Sequence, residues 1–541
     1  MAGTSAQPRH DAGGGEGHGS AAAGRRFWTL LVLGVVALAA AAYRAQPGGW
    51  FVRDDFMWLY DARRQVADPQ LFLTWRPNDY FRPLSNLVFG LEYLLFGLEP
   101  RGYLLAHLGL HVWNAVWVAV LAHRLFGSRP AAAAAGLTFA VLQRPAAAVL
   151  WISSLVTLLA AAAILPTVAC HLAFLRRGGR ARYALTLLGV VACLGAKESG
   201  AIVLPLLVLV ELRERGWRGF LARATWLRYA PLLALGAAYL LVQSELADGA
   251  VAARMNVGFL EGSANVLRAV VANWFLSFNP WQGATPALRG VGYGLAAIAA
   301  VLALAAWLGG RRGLLDALVA HGVTLLGFLP FSVFLVTDDI LTGRYAYLSC
   351  AGAVLGLALV FGLAWQRAAE RLGRFAPALP AVLLGIYLAV QVAGTDDYAR
   401  TNIRYRVHGH ASRLLASSLV RELDRAGESR RLILVGAPVE NLRHLQCLVA
   451  VFTPLPFEAV DERRFDLSDP ELEQGLASGG VGYLLRQLEA DRALVWTDGG
   501  GLRAFLPERD PPPAWLLAAL ARNWRDLTQA SRAARVQILA R

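Results

Sequence analysis

Apolar runs of about 17–25 residues, the length a bilayer core demands, recur over 27–394 and are separated by short arginine-bearing loops. They predict about eleven spans. These cover 27–43, 102–124, 131–142, 153–175, two short arms within 183–212, then 226–243, 290–308, 314–336, 345–364 and 375–394. The basic residues set the direction of each crossing. Arg25-Arg26 place the N-terminus in the cytoplasm, and Arg176-Arg177, Arg311-Arg312 and Arg367, Arg371 and Arg374 fall on the same side. The stretch 183–212 has Arg180 and Arg182 before it and Arg213, Arg215, Arg218 and Arg223 after it. Both its ends are therefore cytoplasmic and it reads as a hairpin. Arms of about fourteen residues rise only about 20 Å, which leaves the tip Gly195-Ala196-Lys197-Glu198-Ser199-Gly200 at or just under the outer boundary.

Two long loops remain outside, 44–101 and 244–289. Within the first, 81–97 reads as an amphipathic helix lying along the interface, and Trp50, Trp58, Trp75, Tyr80 and Tyr93 suit that depth. Within the second, 273–281 reads as interfacial. A span over 265–278 would put Arg311-Arg312 outside and is rejected. Residues 1–24 are Gly/Ala/Ser-rich and read as a disordered cytoplasmic N-terminus. With no small-residue cleavage site behind it, 27–43 reads as an uncleaved anchor.

Past about 395 the pattern changes. Arg431-Leu432-Ile433-Leu434-Val435-Gly436 and Ala493-Leu494-Val495-Trp496-Thr497 read as strands bounded by turn residues, and 412–425 reads as a helix. The predicted fold class is an all-α polytopic membrane domain over 25–394 with a C-terminal periplasmic α/β domain over 395–541. No chemistry-bearing motif stands out in that second domain, and no internal repeat appears.

Composition changes this picture little. The chain is 56% hydrophobic and 17% charged, against about a quarter charged in soluble domains. A net charge of +14 would suggest nucleic acid in a soluble protein, but here it sits largely in the inter-span loops that fix topology. Cys170, Cys193, Cys350 and Cys447 show no metal or disulfide spacing. Of 52 lysines and arginines only Lys197 is a lysine. The Ala/Gly/Arg bias is that of a GC-rich bacterial genome. In such a chain a surviving lysine marks a need for its compact ammonium, or chance.

Candidate chemistry gathers on the outer side. Asp54 and Asp55 follow the first span, Arg82 opens the loop helix, and Lys197-Glu198 cap the hairpin. Arg344 opens the tenth span in Thr342-Gly343-Arg344-Tyr345-Ala346-Tyr347-Leu348, and His107, His111 and Asn114 share one face of the second span. Carboxylates with several cations at one membrane face suit a lipid-phosphate substrate. The cations hold phosphate and a carboxylate takes a proton from an incoming hydroxyl. Each group also has a plainer role: the aspartates as a solvated pair, the histidines and Asn114 as interhelical hydrogen-bonders, Lys197-Glu198 as a self-neutralising tip, and Arg344 as a snorkelling anchor. A divalent ion at Asp54-Asp55 is an open option, with no third ligand to name.

One order of motifs runs through the membrane part. Asp54-Asp55 is followed by Phe81-Arg82-Pro83-Leu84 with Asn86, then His107, His111 and Asn114, and Trp151-Ile152-Ser153. Ala196-Lys197-Glu198-Ser199 with Pro205 and Gly343-Arg344-Tyr345 with Tyr347-Leu348 complete it. Over about 27–394 this order resembles the GT-C superfamily of membrane glycosyltransferases. It is most like the protein O-mannosyltransferase-like branch, whose eukaryotic members carry TPR repeats. The resemblance implies inverting transfer of a sugar from a polyprenyl-phosphate donor to a hydroxyl of a periplasmic protein or glycan, in a bacterial inner membrane. It implies Asp54 or Asp55 as base and Lys197, Arg344 and Arg82 near the donor phosphate, with Glu198, His107, His111 and Asn114 in support. Two features depart from it. Where that branch has His-Pro followed by a glutamate, this chain has Gln143-Arg144-Pro145-Ala146-Ala147-Ala148, and TPR repeats are absent. A transporter or flippase with the same charges lining its path, a ligase- or polymerase-type enzyme, and a catalytically inactive GT-C relative stay open as alternatives.

Overall fold

The computed structural model describes residues 16–74, 80–246, 271, 287–331, 344–373, 378–402, 404–426, 431–435, 441–456, 460–466, 474, 492–497, 501–505 and 533–540. Helices occupy every predicted span. They are α1 (Glu16–Ala42), then the outer-loop helices α2 (Asp55–Ala67) and α3 (Pro83–Phe96), followed by α4 (Pro100–Phe126), α5 (Arg129–Val141) and α6 (Leu155–Arg177). Next come α7 (Arg180–Ala196), α8 (Val203–Phe220), α9 (Arg223–Leu246), α10 (Ala287–Phe328), α11 (Tyr347–Leu372) and α12 (Ala378–Thr401). Among the described residues seven helical stretches are long and apolar enough to cross a membrane, so this is a multi-pass membrane protein. One of the seven, Tyr293–Phe331, holds two of the predicted spans. Gly310 takes φ 60° inside α10, and the chain turns back there between Ala305 and Gly313, whose Cβ position would run into the Ala305 carbonyl. Interfacial segment 273–281, Trp75 and the exit at 337–339 lie outside the described residues.

Local sequence explains the helix ends. Ser128 accepts the Ala131 N–H at the start of α5, with Pro130 in the first turn. The Glu99 carboxylate caps α4 ahead of Pro100. Gly127 ends α4 in the left-handed region, its N–H bonded to the His123 carbonyl. Small residues let α4 and α5 approach closely: a Cβ on Gly136 would lie 2.9 Å from the Ala119 methyl. The outward faces are apolar as well. Leu87, Leu91, Leu94 and Leu95 of α3 are exposed while Asn86, Phe89 and Glu92 are buried, which suits a helix whose outer face meets lipid.

The hairpin is observed. Arg176 before it and Glu214 after it pair at 2.8 Å, and Arg176 also donates to the Arg124 carbonyl, so both ends share one face. Arg213 binds Asp316 at 2.6 Å and joins the neighbouring helix ends to this cluster. At the opposite end α7 stops at Ala196 and a 3₁₀ turn, Glu198–Ile202, leads into α8. That return is so tight that a Cβ on Gly200 would overlap the Cys193 carbonyl.

Helix α12 runs to Thr401, past the boundary placed at 395. Beyond it lie α13 (Gly409–Ala426), β1 (Arg431–Val435), α14 (Leu442–Phe452), β2 (Val460–Asp466), β3 (Arg492–Thr497), β4 (Gly501–Phe505) and β5 (Ala533–Ala540). The five strands form one sheet in the order β2-β5-β1-β3-β4. Within it β1 runs parallel to β3, and the other pairings are antiparallel. Strands thus stand at both places where the alternating pattern put them. These elements share a core with the first outer loop: Phe51, Phe56, Trp58 and Phe89 pack in one buried cluster with Leu415, Leu419, Leu445, Leu448, Leu434 and Leu494. Arg63 of α2 donates to the Ala450 carbonyl of α14 at 2.8 Å.

Candidate active site

A cavity of about 420 Å³ is large enough for a small ligand or part of a larger one. It lies where six segments meet: the start of α2, the entry to α3, the start of α6, the hairpin tip, the stretch from the end of α10 to the start of α11 that contributes Phe331, Arg344 and Tyr345, and the start of α14. Arg82, Lys197, Arg344 and Arg443 line it, with the carboxylates of Asp54 and Glu198. Four basic side chains thus face two carboxylates, and Trp58, Tyr80, Phe331 and Tyr345 stand on the cavity wall beside them.

The two aspartates part company. Arg53, at φ 51°, is the only non-glycine residue with positive φ among the described residues. The turn it makes sends the next two side chains to different places. Asp55 is 1% exposed. Its Oδ2 accepts the Val52 N–H at 2.8 Å, and its Oδ1 accepts the Ser153 N–H at 2.7 Å and the Ser153 hydroxyl. Burial pushes the Asp55 carboxyl up to about 7, against those three hydrogen bonds. Asp54 faces the cavity with its side chain 34% exposed. Its Oδ1 meets His444 Nε2 at 3.2 Å and its Oδ2 lies 3.7 Å from Arg344 Nη1. Partial burial alone would raise its carboxyl. The His444 hydrogen bond and the charges of Arg344, His444 and Arg53 outweigh that and hold it below the ordinary carboxylate value. Asp54 is thus ionised at neutral pH and open to a ligand.

The cations are individually held. Arg82 Nε and Nη2 both reach Glu198 Oε2, at 2.8 and 2.7 Å, and the guanidinium lies 4.3 Å from the Tyr80 ring centre. Ser85 fixes this junction by donating to the Ala196 carbonyl at 2.6 Å. Lys197 is buried. Its Nζ donates to Thr157 Oγ1 at 3.0 Å and lies 5.3 and 5.7 Å from the Phe331 and Tyr345 rings. Arg344 lies over the Trp151 ring, 4.1 Å from its centre. The Trp151-Ile152-Ser153 stretch therefore serves the site twice, since Trp151 carries Arg344 and Ser153 ties down Asp55.

The remaining predicted residues stand elsewhere. His107, His111 and Asn114 are fully buried in helix packing and do not line the cavity. His111 hydrogen-bonds the Tyr347 hydroxyl at 2.7 Å and the Ala140 carbonyl at 3.1 Å; Asn114 donates to the Leu158 carbonyl and to the Tyr347 hydroxyl. His107 faces Glu92 at 3.9 Å. These are interhelical contacts, made because a polar side chain inside a bundle must find a partner there. Residues 143–148, where the branch carries a glutamate, are buried and outside the cavity, so the cavity keeps its own two carboxylates despite that departure. The open option of a divalent ion at Asp54-Asp55 does not fit the donors. Asp55 is taken up by Val52 and Ser153, Asp54 faces two basic side chains, and no cluster of three or more metal-ligating residues occurs among the described residues.

The cavity also holds residues that were not anticipated: Val156, Thr157 and Phe331 from the membrane part, and Asn441, Arg443 and His444 at the start of α14. Asn441 is the N-cap, its side chain accepting the Arg443 N–H at 2.8 Å. An asparagine cap before an apolar helical repeat is readable in the sequence; that this helix would dock on α2, beside Asp54, is not.

No family model matches the sequence, and no curated protein matches it. Among solved structures the chain is similar to an oligosaccharyltransferase of Archaeoglobus fulgidus tethered with an acceptor peptide. The identity is 13% and the TM-score 0.43, over 68% of this chain and 55% of that one, so the chain spans little more than half of its length. It is also similar to ArnT from Cupriavidus metallidurans. In the apo state the identity is 18% and the TM-score 0.44, over 96% of this chain and 98% of that one. Bound to undecaprenyl phosphate the values are 19% and 0.42, over 83% and 94%. Likenesses at these scores assign neither family nor activity.

Proposed function

We propose that this protein is a membrane glycosyltransferase of the GT-C type, related to the O-mannosyltransferase-like branch, that moves a hexose with inversion from a polyprenyl-phosphate donor to an acceptor hydroxyl. The observation that carries the reading is a single cavity in which the ionised, partly exposed carboxylate of Asp54 faces the cations Arg82, Lys197 and Arg344. The donor phosphate lies against Lys197 and Arg344, with Arg82 beside it. The acceptor hydroxyl approaches Asp54, gives its proton to the carboxylate and attacks the anomeric carbon from the face opposite the phosphate. The bond from that carbon to the phosphate oxygen breaks, and the lipid phosphate leaves with one more negative charge. Fixed cations aimed at that developing charge stabilise the transition state more than the ground state.

In this reading Asp55 shapes the loop and takes no proton, and the membrane part presents the cavity to the periplasmic side of a bacterial inner membrane. The acceptor is a periplasmic protein or glycan. The test is transfer by purified protein from polyprenyl-phosphate-linked sugars, with the anomeric configuration of the product read by NMR. Inversion relative to the donor supports the reading; retention would sink it, because one carboxylate in line with the acceptor cannot give retention in a single displacement.

A further inference from the structure

The carboxylate proposed as base is held by a residue nearly four hundred positions away. Helix α14 carries His444 in its first turn, and Asn441 caps that turn. The helix is pinned to the outer loop by apolar packing: Leu445 and Leu448 share a buried cluster with Phe51 and Phe56, and Phe452 lies 5.3 Å from the Trp50 ring. Gln446 donates to the Val460 carbonyl at 2.9 Å, which ties the same helix to the sheet. His444 therefore meets Asp54 from a rigid support, at 3.2 Å through Nε2.

The donor assignment at this contact follows from the partners. An ionised carboxylate only accepts, so the hydrogen lies on His444 Nε2. His444 Nδ1 is buried with no hydrogen-bond partner among the described residues. The imidazole gives its one hydrogen bond to Asp54 Oδ1 and leaves Oδ2 facing the cavity and Arg344. Arg344 sits farther off, at 3.7 Å, and lies against Trp151.

We infer that His444 is a positioning residue for the transfer reaction: it fixes Asp54 Oδ1 so that Oδ2 points at the acceptor hydroxyl. This rests on the transferase reading and adds to it that the membrane part is incomplete without the C-terminal segment. When Arg344 engages the donor phosphate, His444 is the group that keeps the base in line. A residue of this kind acts on turnover rather than on donor affinity, because its hydrogen bond is to the base.

The test uses full-length protein in detergent and compares His444→Ala, His444→Gln, Asp54→Asn and the double variant Asp54→Asn/His444→Ala. Misplacing a base by about 1 Å costs up to about 100-fold in rate. His444→Ala should therefore lower kcat by about 10- to 100-fold with donor KM unchanged. His444→Gln keeps an N–H at similar reach and should recover most of that loss. In the Asp54→Asn background His444→Ala should cost nothing further. A kcat for His444→Ala equal to wild type, a loss that Gln does not recover, or a loss additive with Asp54→Asn overturns the inference.

A second readout does not depend on turnover. In protein labelled with ¹⁵N-histidine, the His444 Nε2–H signal should shift on Asp54→Asn. No shift overturns the inference whatever the activity. Wild-type protein that transfers nothing while the shift is present refutes the transferase reading itself, and the catalytic role of His444 with it.

Discussion

Replacing Asp55 by asparagine should unfold this protein more easily rather than remove a catalytic group. The carboxylate accepts two backbone N–H groups and one hydroxyl, and it is 1% exposed. Asparagine has the same shape but offers a single acceptor oxygen. In either orientation its amide N–H₂ meets a backbone N–H, from Val52 or from Ser153. Measured above pH 7, where a carboxyl pushed up to about 7 is ionised, one charge-assisted hydrogen bond is lost and one buried donor is left unsatisfied, which together cost about 2–4 kcal/mol. Ser153→Ala removes only the hydroxyl contact and should cost about 1 kcal/mol. The assay is the apparent Tm in detergent, with transfer measured on the same preparations. Asp55→Asn should lower the Tm by several times as much as Ser153→Ala does, while Asp54→Asn leaves it nearly unchanged, since its ion pairs are partly exposed. A variant Asp55→Asn with wild-type Tm and no transfer would refute this division of labour and return Asp55 to the chemistry.

The pH profile distinguishes the same two residues independently. Asp54 must be ionised to act as base and its value is lowered. Burial brings Lys197 down to about 7, so that it gains its charge as pH falls through 7. Therefore kcat/KM should not fall between pH 7 and 5 and should decline only below the ordinary carboxylate range near 4. A decline centred near 7 would point instead to Asp55, whose value is pushed up to about 7. Lys197→Arg should not be conservative. The amine sits in a buried slot between Thr157 and the Phe331 and Tyr345 rings; a bulkier guanidinium displaced from that slot should weaken the contact proposed with the donor phosphate and raise donor KM by about 10-fold or more. His111→Ala should lower Tm by removing the contacts to Tyr347 and Ala140 while leaving the donor KM of the remaining folded protein unchanged; a rise in KM would place the α4 face in the site after all.

Much of the fold was legible because a bilayer imposes one simple rule. Apolar runs and arginine clusters located helices at all eleven predicted spans, and even the hairpin 183–212, whose arms are too short to be obvious, followed from arginines at both of its ends. The cavity was partly legible for the same reason. Asp54, Arg82, Lys197, Glu198 and Arg344 share a side of the predicted topology, and the folded chain brings all five to one cavity. What a sequence lacks is side-chain direction. Adjacent Asp54 and Asp55 looked equivalent until the turn at Arg53 sent one outward and the other into the backbone. His107, His111 and Asn114 shared a helix face, but that face turned inward to Tyr347 and Glu92. Trp151 and Ser153 entered as members of a motif, and only contacts revealed that one carries Arg344 and the other ties Asp55. His444 was hidden for a different reason: its partner lies across the whole membrane part of the chain, and no local pattern encodes that pairing.

The central claim is that Asp54 takes a proton from an acceptor in sugar transfer. Purified wild-type protein and Asp54→Asn should be incubated with radiolabelled polyprenyl-phosphate sugars and periplasmic extract as the acceptor source. Label should pass to an acceptor with wild type, and Asp54→Asn should be slower by at least about 100-fold at unchanged Tm. Equal transfer by the two proteins, or no transfer by wild type from any donor, would contradict it.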